Sequence, residues 1–354
     1  MDNNSPAERN VNIDLIKCTA LFLVVSVHSF IKLNYYELTL DFSAFSAIFT
    51  ALRQICICCV PLFMITTGYL CCEKQLKIGR EWIIKLLRII IPFIITTIIL
   101  IVYYRLSNTE HNPFEMFFGI EKYSYAWYVE MYIGLYLLMP FINLSYAALK
   151  TKRKKAILIG IMIFLTFIPS ILSSNWDLSI DYWKVIYPIT YYLIGGFIKE
   201  YGCKLSKLKL IMIMLMSLAY NTFIALLTSN GTVFSTDIIT GYNSLFVLIT
   251  SLCIFCILLK LNLEKCHNTT KRILKTVSNA TLSIYLISKL FDSIIYSFVI
   301  SHSSADFMHN YFYAPITIIS VFLLSVAVGL PIQKVSSVLT NAVMKSKDRI
   351  RLTI

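Results

Sequence analysis

The sequence predicts an all-α membrane protein, a bundle of about ten transmembrane helices with both termini cytoplasmic. Three observations carry that reading. Of 354 residues, 57% are apolar or aromatic and 14% charged, with a mean hydropathy of +0.71, against roughly 45–50% apolar and roughly 25% charged in soluble chains. The apolar residues gather into runs near the ~20 residues a bilayer crossing needs. Lys and Arg gather on alternate connections, four or five each around 74–88, 150–155, 199–209, 260–275 and 334–351, while the other connections hold only Lys32, Arg105, Lys122 and Lys184. This asymmetry puts the basic loops and both chain ends in the cytoplasm. A water-soluble enzyme, a secreted disulfide scaffold and a disordered chain are excluded. The net charge of +13 sits in short loops, so it argues for no nucleic-acid partner.

The runs are 11–31, 44–71, 82–104, 125–147, 156–173, 183–199, 208–228, 240–261, 278–300 and 310–333, in one polytopic domain over 1–354. The first follows a polar stretch, MDNNSPAERN, has no basic lead-in and is too long for a signal-peptide core, so it reads as an uncleaved span. It carries Lys17 and His28, eleven residues apart and therefore only ~20° off a common helical face, ~16.5 Å apart along it. Asp14, three residues before Lys17, can pair with it. A snorkelling lysine and an ordinary core histidine would account for the same pattern. In the second run Arg53 lies roughly ~13.5 Å deep, which calls for a buried partner, and Glu130 in the fourth is the acid expected to supply one. The third opens on a basic stretch ending at Arg88, and Gly195 and Gly196 interrupt the sixth. In the ninth, Lys289 and Asp292 are spaced to neutralise each other.

The outer rims are rich in aromatics, among them Tyr123, Tyr125, Trp127, Tyr128, Trp176, Tyr182, Trp183 and Tyr187. They suit a headgroup-level belt or, more sharply, a sugar platform. His302, Asp306 and His309 would share a helical face in an outer loop, a weak metal pattern, and no metal is expected. The ten cysteines lie in apolar runs or basic loops and read as free thiols.

The opening NIDLIKCTALFLVVSVHSF resembles that of the integral-membrane acyltransferase family 3, whose first span carries Arg or Lys, ten residues, then His. Lys17 and His28 reproduce that spacing. VPLFMITTGYL resembles the family's V-P-x-F-F-x-x-S-G-Y through Val60, Pro61, Phe63, Gly68 and Tyr69. The basic stretch ending at Arg88 with Pro92 beyond it, the Trp127…Tyr136…Pro140 pattern and NATLSIYLIS are further matches, so the likeness covers all ten runs. Arg53 stands seven residues before Val60, where the family usually has an arginine about three before. Tyr125-Ala126 and Ser288 replace histidines the family often carries.

The resemblance implies a cytoplasmic acyl-CoA donor, acetyl-CoA first among them, and a hydroxyl acceptor on a glycan or lipid-linked oligosaccharide at the outer face, in contact with membrane lipid. Lys17 and Arg88 are then candidates for holding the polyanionic donor, and His28 for accepting a hydroxyl proton or becoming acylated. Arg53, neutralised by Glu130, is the candidate for stabilising the oxyanion. Tyr69, Trp127, Trp176 and Trp183 are candidates for the acceptor. Two other readings stand beside this O-acetyltransferase: a transporter or flippase, and a ligand-binding module of the same fold without catalysis.

Overall fold

The computed structural model describes residues 9–74, 78–107, 126–172, 181–234, 241–263, 265–302 and 311–351. In chain order they form α1 (Val11–Lys32), α2 (Ala44–Cys56), α3 (Cys59–Cys71), α4 (Arg80–Leu106), α5 (Trp127–Ala148), α6 (Lys152–Phe167), α7 (Tyr187–Tyr201), α8 (Lys207–Ser229), α9 (Leu245–Leu259), α10 (Asn268–Asn279), α11 (Thr281–His302) and α12 (Ala314–Arg351). Among the described residues the only β-pairing is two isolated bridges, Thr39 to Val233 and Leu40 to Asn230.

Eight helical segments among the described residues are long and apolar enough to cross a membrane, α2 and α3 counting as one. The sixth and eighth predicted runs become α7 and α9, of 15 residues each. At 1.5 Å per residue these span ~22 Å, short of the ~30 Å hydrocarbon core. The basic connection before the ninth run is not irregular: it contains α10, a separate helix.

Burial ranks the helices. Two thirds of the apolar window of α1 and of the α2–α3 segment is buried (67% each), against 28% in α4, α5, α6 and α12. α1 therefore runs through the middle of the bundle, and the outer helices leave large apolar side chains such as Ile98, Leu144 and Leu323 exposed, as a hydrocarbon surround requires.

The second predicted run is broken at Ile57–Cys58. Pro61 has no N–H to offer the Ile57 carbonyl, and its ring crowds that position. The chain closes α2 instead through Ile57 N to Arg53 O (2.9 Å) and Cys58 N to Ile55 O (3.1 Å), then restarts with Pro61 in the first turn of α3. Ahead of α2, Ser43 caps the helix and Asp41 accepts from Ser43 and Ser46. Those hydrogen bonds, Ser43's first, hold the exposed Asp41 carboxyl below its ordinary value.

Gly195 and Gly196 do not interrupt the sixth run. α7 passes through them unbroken and uses them to approach α3. A Cβ on Gly195 would collide with the Ile65 carbonyl, and one on Gly68 with that of Tyr192. Small residues on both partners let two backbones meet, the usual device of helix pairs in lipid. The first turn of α1 is tied down from three sides. Asn12 Nδ2 donates to the carbonyls of Leu258 and Leu261, both at 2.8 Å, covering the open end of α9. Asp14 takes two hydrogen bonds from Arg9 (2.6 and 2.8 Å) and one from Ser278 (2.6 Å).

Candidate functional site

A cavity of about 250 Å³ lies along α1. Lys17 and His28 line it from α1 with Val24 and Val27, and α3 contributes one face from Cys59 through Phe63, Thr66 and Thr67 to Leu70 and Cys71. Ile89 of α4, Trp127, Tyr128 and Tyr132 of α5, Tyr242 of the loop before α9, and Thr281, Leu282 and Tyr285 of α11 complete it. The helical arithmetic for Lys17 and His28 holds in three dimensions: both side chains reach the same space. One end of the cavity carries an ammonium group and the other an imidazole.

His28 is held by a residue from the far end of the chain. Its Nδ1 lies 3.0 Å from Asp292 Oδ2, across 264 residues of sequence, and Asp292 is 1% exposed. Against a carboxylate, Nδ1 must carry the proton, so the basic lone pair belongs to Nε2. Asp292 Oδ1 accepts no hydrogen bond among the described residues. The expected Lys289–Asp292 pairing is therefore corrected: the short contact of Asp292 is with His28, and Lys289 stays within electrostatic reach of the same carboxylate. An acid in an apolar helix was visible in the sequence. Its partner was not, because nothing local relates the ninth run to the first.

The other candidates divide. Trp127 lines the cavity, its ring 5.2 Å from that of Tyr242 and 6.2 Å from Tyr128. These aromatics face inward and do more than mark a headgroup belt. Arg53 is 4% exposed, donates from Nε to Tyr36 Oη at 3.1 Å and stacks 4.9 Å from the Phe234 ring centroid. It does not line the cavity, although its charge reaches Tyr242, which does. Glu130 is exposed on α5 and off the cavity. Arg88 is exposed on α4, one residue before the lining Ile89. Tyr69 is half-buried outside the cavity, with Lys199 Nζ 5.0 Å from its ring centroid. Trp183 is exposed in the turn before α7. Trp176, Asp306 and His309 lie outside the described residues. Tyr128 was read with the rim aromatics, and the phenols of Tyr132, Tyr242 and Tyr285 were not singled out, since an aromatic in an apolar run reads the same whether it faces lipid or a cavity.

Chemically, the cavity offers a cation, an oriented base ~16.5 Å away along the helix, an apolar wall and several hydroxyls. Its lining, with an ammonium group at one end and a mostly apolar wall, suits a largely uncharged chain with an anionic end. A family model described as an acyltransferase domain matches residues 10–332. No curated protein and no solved structure matches the chain.

Proposed function

Because the chain belongs to the integral-membrane acyltransferase family 3, we propose that it is an O-acyltransferase, moving an acetyl group from cytoplasmic acetyl-CoA to a hydroxyl of a cell-surface or exported polysaccharide. The observation that supports this most is the sharing of one cavity by Lys17 and an Asp292-oriented His28. Lys17 receives the anionic side of the donor as a charge-assisted partner. The thin pantetheine arm suits the largely apolar lining, and its length carries the thioester towards His28.

His28 Nε2 accepts the proton of the acceptor hydroxyl as that oxygen adds to the thioester carbonyl. Asp292 stabilises the imidazolium that results. The carbon–sulfur bond then breaks, and the proton passes from His28 to the departing thiolate. Trp127 offers a face on which a sugar ring can stack. Acyl transfer across a bilayer requires the donor end of the cavity to be cytoplasmic, which is the side the basic loops predict.

Mass spectrometry of surface glycans tests the reading. Cells with the gene deleted, or carrying His28→Ala at normal expression, should lose one acetyl group per modified repeat relative to wild type. Unchanged glycans in the deletion strain would remove the polysaccharide acceptor. Loss on deletion with full acetylation in the His28→Ala strain would remove His28 from the chemistry.

A further inference from the structure

α10 is a charged helix beside the inner end of the cavity, and the transfer chemistry makes no use of it. Its residues Lys271, Arg272 and Lys275 fall on one flank, within ~100° of each other at 3.6 residues per turn. Asn279 falls on the same flank. Leu274 and Ser278 face the protein: the Leu274 carbonyl accepts from Cys18 Sγ at 3.6 Å, and the Ser278 hydroxyl donates to Asp14. Arg272 and Lys275 are exposed.

Two connections place this flank at the Lys17 end of the cavity. Asn279 Oδ1 accepts from Arg9 Nη2 at 2.8 Å, and Arg9 lies close enough to Lys17 for their charges to interact. The chain then turns at Ala280 directly into Thr281 and Leu282, which line the cavity themselves. On the opposite side of the same end, Lys17, Lys74 and Lys85 all act electrostatically on the lining residue Cys71. Lys17, Lys74 and Lys85 thus gather positive charge at this end of the cavity, next to the Asp14-paired Arg9 that α10 holds through Asn279, and such charge favours an anion.

We infer that Lys271, Arg272 and Lys275 form a phosphate-binding rim that takes the phosphorylated nucleotide end of the acyl-CoA donor while Lys17 guides its thin arm inward. This rests on the acyltransferase reading for the identity of the ligand. Arginine and lysine on this flank supply fork and point donors to separate phosphates.

The test uses the full chain in nanodiscs of neutral phosphatidylcholine and the triple variant Lys271→Gln, Arg272→Gln, Lys275→Gln. The probe is adenosine 3′-phosphate 5′-diphosphate, measured by direct binding. Wild type should bind it in a salt-sensitive way, and the variant should bind at least about tenfold more weakly. In parallel, acyl transfer is compared with acetyl-CoA and with acetyl-pantetheine, which has no nucleotide. The wild-type preference for acetyl-CoA should collapse in the variant. Equal losses with both donors would mean a structural helix and overturn the inference, as would unchanged nucleotide affinity. Loss confined to association with vesicles containing phosphatidylglycerol would reassign the rim to lipid headgroups and overturn it too. If nucleotide binds as expected but neither donor supports transfer, the rim stands and the acyltransferase reading falls.

Discussion

Asp292 fixes which nitrogen of His28 can act as a base. With Nδ1 at 3.0 Å from the carboxylate, the ring is locked in one tautomer and one orientation, and any positive charge gained at Nε2 has a buried counter-ion. Asp292→Asn keeps the shape and removes both effects. It should lower kcat by about 10²-fold or more with donor KM little changed, and Asp292→Glu should recover part of the loss. Near-wild-type kcat in Asp292→Asn would show that the carboxylate serves only to fill space. At this scale the sequence was most readable where chemistry stayed on one helix. Lys17 and His28 share a face because 11 residues close three turns, so their meeting followed from period alone. The partnership of His28 with Asp292, and that of Arg53 with Tyr36, needed the packing of separate segments. Glu130 was chosen as the partner of Arg53 because it was an acid at similar depth, yet Glu130 is exposed on α5 and the Arg53 side chain reaches the Tyr36 phenol, Gln54 and the Phe234 face.

The α3–α7 crossing sets the back wall against which α1 and the cavity are built. Its closeness depends on hydrogen atoms where other residues carry methyl groups, so Gly195→Ala should destabilise the protein by about 1–3 kcal/mol. Gly134→Ala is the matched control. It lies in α5 with nothing within 4 Å of an added Cβ, so it should be neutral or slightly stabilising. Thermal unfolding in detergent, followed by loss of the monodisperse peak, would measure both, and an unaffected Gly195→Ala would show that the helices can separate without harm. Element existence was readable from hydropathy, and most helix ends fall within a few residues of the apolar runs. The break at Pro61 was missed because a hydrophobicity count sees 28 uninterrupted residues. The glycines of α7 were misread for the opposite reason: a residue that permits a kink also permits contact, and only the neighbouring backbone tells which.

Across the whole molecule, the described helices give a central pillar, α1, with a lipid-facing periphery, and the cavity follows that pillar. The composition disclosed the membrane and the basic loops disclosed its expected sidedness, but neither says where in the bundle each span stands. That position is what brings α5 and α11 to the cavity.

The pillar is also made before the segments that complete it. Asn12 waits for the carbonyls at 258–261, Asp14, already paired with Arg9, for Ser278, and His28 for Asp292, in each case at least 246 residues further along the chain. Until then α1 carries Lys17 and His28 without the packing of the finished bundle, and a charged side chain at the centre of a membrane helix is disfavoured by ~2.5–3.5 kcal/mol. A chain ended at residue 240 should therefore be degraded during a pulse-chase in which the full chain persists, and supplying 241–354 as a separate chain should prolong its life. A truncated chain as long-lived as the intact one would show that α1 is content without those partners. A nascent chain therefore lacks the oriented His28 of the finished bundle, because Asp292 arrives only with α11.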